Sequence, residues 1–151
     1  MALDILIDET NVTLATLSVE LERATISHDV SNESSLYVTE SGMFRFWVSL
    51  RAGSHFILLQ SYVRFVEGLR YTECLDFCNR INERLLIPSF HVYRVESDDD
   101  GPEQFRLVGT YPILFRDGLM PSQFIRLCRQ FLMGMERIET EFDPEHVRMR
   151  V

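Results

Sequence analysis

The chain reads Phe56-Ile57-Leu58-Leu59-Gln60-Ser61-Tyr62 at one point and Phe105-Arg106-Leu107-Val108-Gly109-Thr110-Tyr111 at another. Phe, Leu and Tyr occupy matching positions in the two stretches. After one added residue the match continues, with Gly68-Leu69 aligned on Gly118-Leu119. A match that runs through an apolar strand and the turn after it indicates a duplicated unit.

Each copy then continues into a helical pattern. The aligned helical pairs are Leu75 and Ile125, Cys78 and Cys128, and Ile81 and Phe131. A ββα unit is therefore predicted twice, once over about residues 44–85 and again over about 90–135. Such a repeat constrains the architecture more strongly than any single local pattern.

The other patterns complete the order of elements. We predict strands over 36–39, 44–50, 55–66, 90–95 and 104–115, and helices over 71–86 and 121–141, all with approximate ends. A first helix is predicted from the apolar stripe Leu14, Leu17, Leu21 and Ala24. Thr10 or Asn11 is the expected cap of the first helix, and the polar stretch 27–35 ends it. The result is an α+β domain, an antiparallel sheet with helices in the order α-β-β-β-α-β-β-α.

Two strand details follow from composition. The unbroken apolar run 56–59 predicts a central strand covered on both faces. Pro112 removes a backbone donor, so we expect an edge, a bulge or a strand end near it.

Composition narrows the class of protein. The 151 residues suit a single domain over 1–151, with a loosely held tail from about residue 143. The net charge of −8 disfavours direct binding to nucleic acid. The chain has no lysine, which excludes lysine Schiff-base chemistry and a Walker-type phosphate loop.

The expected compartment is the cytoplasm. Acids interrupt the short apolar start at Asp4 and Asp8, so the start is a poor secretory signal. No run is long enough for a membrane span. Three cysteines, an odd number, suit reduced thiols.

The segment Phe105–Phe131 combines an apolar strand, the Gly118-Leu119 turn and a helix that opens at Pro121-Ser122. In these features it resembles the YbjN family of small bacterial proteins, although the family's double glycine in that turn reads Asp117-Gly118 here. The resemblance implies a fold similar to that of the type III secretion chaperones, which are small acidic dimers that bind a partner polypeptide without catalysis. The family's label is sensory transduction regulator. The resemblance implies no site residues.

Three cysteines could suggest metal or thiol chemistry. Cys74 and Cys78 lie one helical turn apart, with Cys128 on the other repeat helix. All three fall on apolar helix stripes, where free cysteine packs as a small hydrophobe. We therefore predict core packing and no metal site.

The acidic run Asp98-Asp99-Asp100-Gly101 has consecutive acids, whereas an EF-hand calcium loop alternates them. It is interpreted as a solvated connector between two strands.

No recognisable catalytic motif occurs around the four histidines, at positions 28, 55, 91 and 146. Ser54 and His55 are neighbours, yet side chains of adjacent residues normally point apart. We therefore predict no enzyme, no catalytic residues and no cofactor.

Aromatic side chains are the stronger functional candidates. By strand alternation, Tyr37, Trp47 and Tyr93 are expected on the outward side of the sheet, and Trp47 and Tyr93 are interpreted as equivalent in the repeat. They could pack under a helix or shield a single subunit. The favoured interpretation is an interface with a twin subunit or a partner.

The leading hypothesis is a homodimeric, chaperone-like or regulatory protein that binds another protein. A second is an enzyme or small-ligand protein with a pocket between sheet and helices, using residues such as His55 or His91. A third is an acidic accessory protein that binds basic nucleic-acid-associated proteins.

Overall fold

The computed structural model describes residues 4–40, 42, 44–96 and 100–150. Within these residues the chain is an α+β protein with three α-helices and a seven-stranded antiparallel sheet. The strands are β1 (His28–Asn32), β2 (Ser35–Val38), β3 (Phe46–Arg51), β4 (Phe56–Phe65), β5 (Ser89–Val95), β6 (Gln104–Leu114) and β7 (Met149–Arg150). The helices are α1 (Leu14–Arg23), α2 (Tyr71–Arg84) and α3 (Pro121–Arg137), and a π-helical turn (Ile138–Phe142) follows α3. The predicted fold class is confirmed.

The sheet contains both predicted hairpins. Its strand order is β1-β2-β3-β4-β6-β5, and β7 pairs with β4. The repeat appears as β3-β4-α2 and β5-β6-α3, and β4 is a central strand as expected. Pro112 lies within β6, two residues beyond Thr110, which is the last residue of β6 that pairs with β5. This agrees with the expected edge near the proline.

The sequence did not indicate β1. The polar stretch 27–35 was expected only to end the first helix, yet His28–Asn32 forms a strand antiparallel to β2. Four of its five side chains are exposed, so no buried face produces an alternating pattern. Backbone pairing with β2, which includes a register shift between Val30 and Asn32, holds the strand in place.

The cap of α1 is Thr13 rather than Thr10 or Asn11. The Thr13 hydroxyl accepts from the backbone N–H of Thr16 at 3.2 Å, and the Thr16 hydroxyl accepts from the N–H of Thr13 at 2.9 Å. This reciprocal arrangement satisfies two N–H groups at the helix start. Threonine in place of the usual glutamate or glutamine at the third helical position concealed the motif.

The described chain divides into two compact units, residues 4–60 with 111–132 and residues 61–110 with 133–150. A single domain over 1–151 stays a prediction. In the first unit, α1 buries Leu17 and Leu21 completely. The ring of Phe131 on α3 lies 5.6 Å from that of Phe46 on β3, so α3 packs on the face of the sheet that β3 buries.

The segment before α1 binds the start of α3 in the first unit. Ile7 and Leu119 exchange two backbone hydrogen bonds of 2.8 Å. The Asp4 carboxylate accepts from the backbone N–H of Ser122 at 3.0 Å and also from the Ser122 hydroxyl. These bonds hold the pKa of Asp4 below its usual value. A distant carboxylate therefore caps α3.

In the second unit, α2 buries Cys74, Phe77, Cys78 and Ile81. The ring of Phe77 meets that of Phe65 edge to face at 6.1 Å. These contacts seat the helix on the second half of β4, as the apolar stripe of α2 predicts.

Residues 143–150 make specific backbone contacts in the second unit. A loosely held tail was expected from about residue 143. In the structure Asp143 is buried, and its carboxylate accepts from the backbone N–H groups of Val147, Arg148 and Met149. Met149, which is buried, begins β7 and pairs with Phe65. An aspartate beside proline has the composition of a solvated turn, which concealed its role as a buried acceptor.

Candidate functional site

An aromatic pair stands on β2 and β3. Tyr37 and Trp47 are directly opposite each other in the antiparallel register, and their rings stack at 4.7 Å with an interplanar angle of 29°. The residues on either side of Trp47, Phe46 and Val48, are fully buried, whereas Tyr37 and Trp47 are half-buried. Strand alternation thus directs the pair to the opposite face from the core.

Uncharged side chains extend this face across β4. Gln60 lies directly opposite Trp47, and Leu58 is its diagonal neighbour two residues away. Both are half-buried, and for Leu58 this differs from the prediction that 56–59 would be covered on both faces. We define Tyr37, Trp47, Leu58 and Gln60 as the aromatic patch.

Tyr93 does not belong to the aromatic patch. It is 47% exposed on β5, opposite Arg106 of β6, and two strands stand between β3 and β5 in the sheet order. The expected equivalence of Trp47 and Tyr93 is also wrong. Trp47 faces Gln60, and the aligned counterpart of Gln60 is Gly109, which faces Phe90. Trp47 therefore corresponds to Phe90.

The cysteines are core residues, as predicted. Cys74, Cys78 and Cys128 are all buried and free. Burial raises the pKa of Cys74 to about 11 and raises those of Cys78 and Cys128 as well. A raised pKa keeps a thiol protonated near neutral pH, and the thiol is then a poor nucleophile and metal ligand.

Acidic clusters do not form a metal site in the part of the chain that the structure describes, where no group of three or more potential metal ligands occurs. Ser97, Asp98 and Asp99 of the acidic connector lie outside the described residues, while Asp100 and Gly101 are exposed. The interpretation of the connector stays a prediction.

The four histidines belong to different segments of the chain. His28 contacts the Ser18 hydroxyl at 2.6 Å and the Ile26 carbonyl at 2.9 Å. His55 places Nδ1 2.7 Å from a carboxylate oxygen of Glu9. Its neighbour Ser54 is exposed, and so is His91. These contacts seat the rings of His28 and His55 against their neighbours in the first unit.

Two cavities lie along α2 in the second unit, with volumes of about 350 and 250 Å³. The larger is lined by Leu69, Glu73, Asp76, Arg80, Val147 and Arg148. Charged side chains supply four of these six residues. Small-molecule sites are mostly apolar with few polar groups, so neither cavity has the composition of a preformed site.

Three arginines meet at a smaller cavity in the same unit. Arg64 on β4 and Arg150 on β7 are directly paired, and Arg106 of β6 lines the same cavity of about 10 Å³. We call these three residues the arginine row. The sequence did not indicate it, because 86 positions separate residues 64 and 150 and only the β4–β7 pairing brings them together.

No helix among the described residues is both long and apolar enough to cross a bilayer.

Comparison with known proteins identifies the family of this chain. A family model, YbjN, with the description "putative bacterial sensory transduction regulator", matches residues 13–144. This chain belongs to the YbjN family. The resemblance found in the sequence is thereby confirmed.

A solved YbjN-family structure has the same fold. The crystal structure of YbjN, described as "a putative transcription regulator from E. coli", superposes with a TM-score of 0.60 at 18% sequence identity. The match covers 91% of this chain and 96% of that one. At this identity the likeness concerns the fold alone. No curated protein matches the chain significantly. Membership of the YbjN family agrees with a regulatory role, and the likeness to type III secretion chaperones stays a prediction.

Proposed function

We propose that this protein is a non-enzymatic regulator that forms a homodimer through the aromatic patch and binds another protein. The stacked Tyr37–Trp47 pair, half-buried on the sheet face opposite the core, is the observation that carries the proposal. Tyrosine and tryptophan are enriched at protein interfaces because they combine a large apolar area with a polar end.

The charge of the chain supports the aromatic patch as the place where two copies would meet. Each chain carries a net charge of −8, so two copies repel each other over most approaches. Tyr37, Trp47, Leu58 and Gln60 are uncharged, and the exposed Asp29 lies at the β1 edge of the aromatic patch, opposite Tyr37. Contact centred on Trp47 removes aromatic surface from water and brings uncharged side chains together at its centre. A two-fold axis would place the same patch on both subunits.

A regulatory role is supported by the family description. It is also supported by the state of the candidate catalytic groups. The three thiols are buried with raised pKa values, and His28 and His55 make local structural contacts. The small-ligand hypothesis would have to use cavities with mainly charged walls. We favour protein binding for this reason.

The experiment is light scattering of the full chain at tens of micromolar. We expect a dimer for the natural protein and a monomer for Trp47→Glu, because the variant would place two carboxylates in one apolar contact. Tyr93→Glu is the matched control, since Tyr93 is an exposed strand aromatic outside the aromatic patch. It should remain dimeric.

Circular dichroism separates loss of the dimer from loss of the fold. If Trp47→Glu unfolds, Gln60→Glu makes the same test at a residue that is already polar. A monomeric natural protein would refute the dimer. A dimer that persists in a folded Trp47→Glu or Gln60→Glu variant would place the interface elsewhere.

A further inference from the structure

We propose that the arginine row binds a carboxylate-rich, extended segment of a partner protein. This inference rests on the proposed protein-binding function and names the chemistry of the partner. The row is unusual because acids outnumber arginines, 23 to 15, in the whole chain. Even so, Arg64, Arg106 and Arg150 gather around one small cavity, to which Glu67 contributes a carboxylate.

Two of the three cations face each other without an intervening anion. Arg64 and Arg150 are register partners on β4 and β7, so their side chains leave the same face of adjacent strands, about 5 Å apart at their bases. Like charges in this position are destabilising. Among the described residues, none of the three arginines forms an ion pair. Other arginines do, for example Arg137 with Glu141 at 2.7 Å.

The third cation is held in position. The Arg106 guanidinium lies 4.4 Å from the centre of the Tyr62 ring. Its Nε is buried and has no hydrogen-bond acceptor among the described residues. Stacking on the ring lowers the entropy that this side chain would lose on binding an anion, and the outer guanidinium N–H groups can donate to a carboxylate.

The layout favours an extended chain over a small molecule. The cavity, about 10 Å³, holds no more than about one water molecule. The arginines stand on three adjacent strands, β7, β4 and β6, so two strand spacings, at least about 10 Å, separate the outer two at their bases. Alternate side chains of an extended peptide are about 7 Å apart, within reach of arginines of this length. Successive carboxylates can therefore each meet a guanidinium, with two parallel hydrogen bonds where the geometry permits.

The test uses the full chain and fluorescence anisotropy. The probe is a labelled hexaglutamate peptide, and labelled hexaglutamine is the uncharged control peptide. We expect hexaglutamate to bind and hexaglutamine not to bind. The double variant Arg64→Gln/Arg150→Gln should lose about tenfold or more in affinity. The double variant Arg126→Gln/Arg129→Gln, which removes the same charge from exposed positions of α3, should bind hexaglutamate as the natural protein does.

Two competitors decide the class of ligand. Inorganic phosphate that displaces the peptide at equal concentration would indicate a small-anion site and overturn the proposal. A single-stranded oligonucleotide that competes better than unlabelled hexaglutamate would replace the proposal with nucleic-acid binding. Equal binding of the two peptides, or equal loss in both double variants, would also overturn it.

The outcome is independent of the dimer experiment. Trp47→Glu should retain hexaglutamate binding, because it leaves the arginine row unchanged. Arg64→Gln/Arg150→Gln should retain the dimer in light scattering. If the double variant fails to fold, Arg150→Gln alone removes one of the two facing cations. A folded Arg150→Gln protein that binds hexaglutamate with unchanged affinity would then overturn the proposal.

Discussion

The turns that join strand to helix in the two repeat copies differ in what covers them. Gly68 and Gly118 are aligned in sequence and both have positive φ, +89° and +100°. A Cβ at Gly68 would meet no atom within 4 Å in the described structure, whereas a Cβ at Gly118 would lie 2.9 Å from the Ile7 carbonyl oxygen. The segment before α1 covers the second turn. The same strand–glycine–helix pattern therefore occurs in both copies, and among the described residues only the turn at Gly118 is covered by a distant segment.

The caps of the two repeat helices differ in the same way. Glu73 lies inside α2 and accepts from the backbone N–H of Arg70 at 2.8 Å, so this cap is local. Asp4 caps α3 from 118 residues away. A duplicated sequence thus preserved the strand, turn and helix of each copy, while the rest of the chain determined how the second copy is covered.

The largest expected effect tests whether both copies bury equivalent helix positions. Phe131→Ala should lower the free energy of unfolding by about 3–5 kcal/mol and Ile81→Ala by about 2–5 kcal/mol, because each removes a core side chain and leaves a cavity. Both residues are fully buried. Urea denaturation measures the two losses. The exposed α3 residue Gln130, changed to Ala, is the control and should stay within about 0.5 kcal/mol of the natural protein. If Ile81→Ala matches that control, the two helices are not equivalent.

The next effect sharpens the contrast between the turns. Gly68→Ala should cost about 1–2 kcal/mol, since alanine is strained at positive φ. Gly118→Ala should cost about 1–3 kcal/mol more, because its Cβ also meets the Ile7 carbonyl. Both are measured by urea denaturation under identical conditions, and equal losses would mean that the segment before α1 yields without cost.

The smallest effect concerns the distant cap and pH. Hydrogen bonds from the Ser122 side chain and backbone lower the pKa of Asp4, so its carboxylate stabilises the folded state above the unfolded pKa. This contribution is lost as pH falls through the lower folded pKa. Asp4→Asn should therefore have a slightly lower Tm than the natural protein at about pH 6, and the difference should vanish by about pH 2.

Glu73→Gln is the matched variant for the local cap. The pKa of Glu73 is also lowered, by the backbone N–H of Arg70 first, so the sign and pH window are alike. Thermal melts of both variants at the two pH values compare the caps. A pH-independent difference for Asp4→Asn would show that its carboxylate charge contributes nothing at this position.

Periodic patterns allowed most of the fold to be predicted. The stripe of Phe124, Cys128, Phe131 and Met135 on α3, with Ile138 in the π-helical turn that follows, is completely buried, as its spacing indicates. The two hairpins and the central position of β4 follow from strand alternation and the repeat. The polar strand β1 and the short β7 could not be predicted, because neither has a run of alternating buried residues.

The candidate site was less predictable. Alternation directed Tyr37 and Trp47 to the outward face, but their stacking depends on the register of β2 with β3. Alternation also predicted Tyr93 on the outward face, but Tyr93 lies on β5, which the sheet order separates from β3 by two strands. The arginine row had no local signal, since each arginine by itself is an ordinary exposed or half-exposed residue.

By itself, the sequence determined the duplicated ββα unit, the apolar helix stripes and the burial of the three cysteines. These features depend on the spacing of apolar residues within one helix or strand, so neighbouring positions are sufficient to specify them. Only the tertiary structure decided which strands are neighbours, how Asp4 reaches α3 and how Arg64 meets Arg150. Those contacts join residues far apart in the chain, and they form because burial of apolar side chains brings together backbone donors and acceptors that no local pattern pairs in advance.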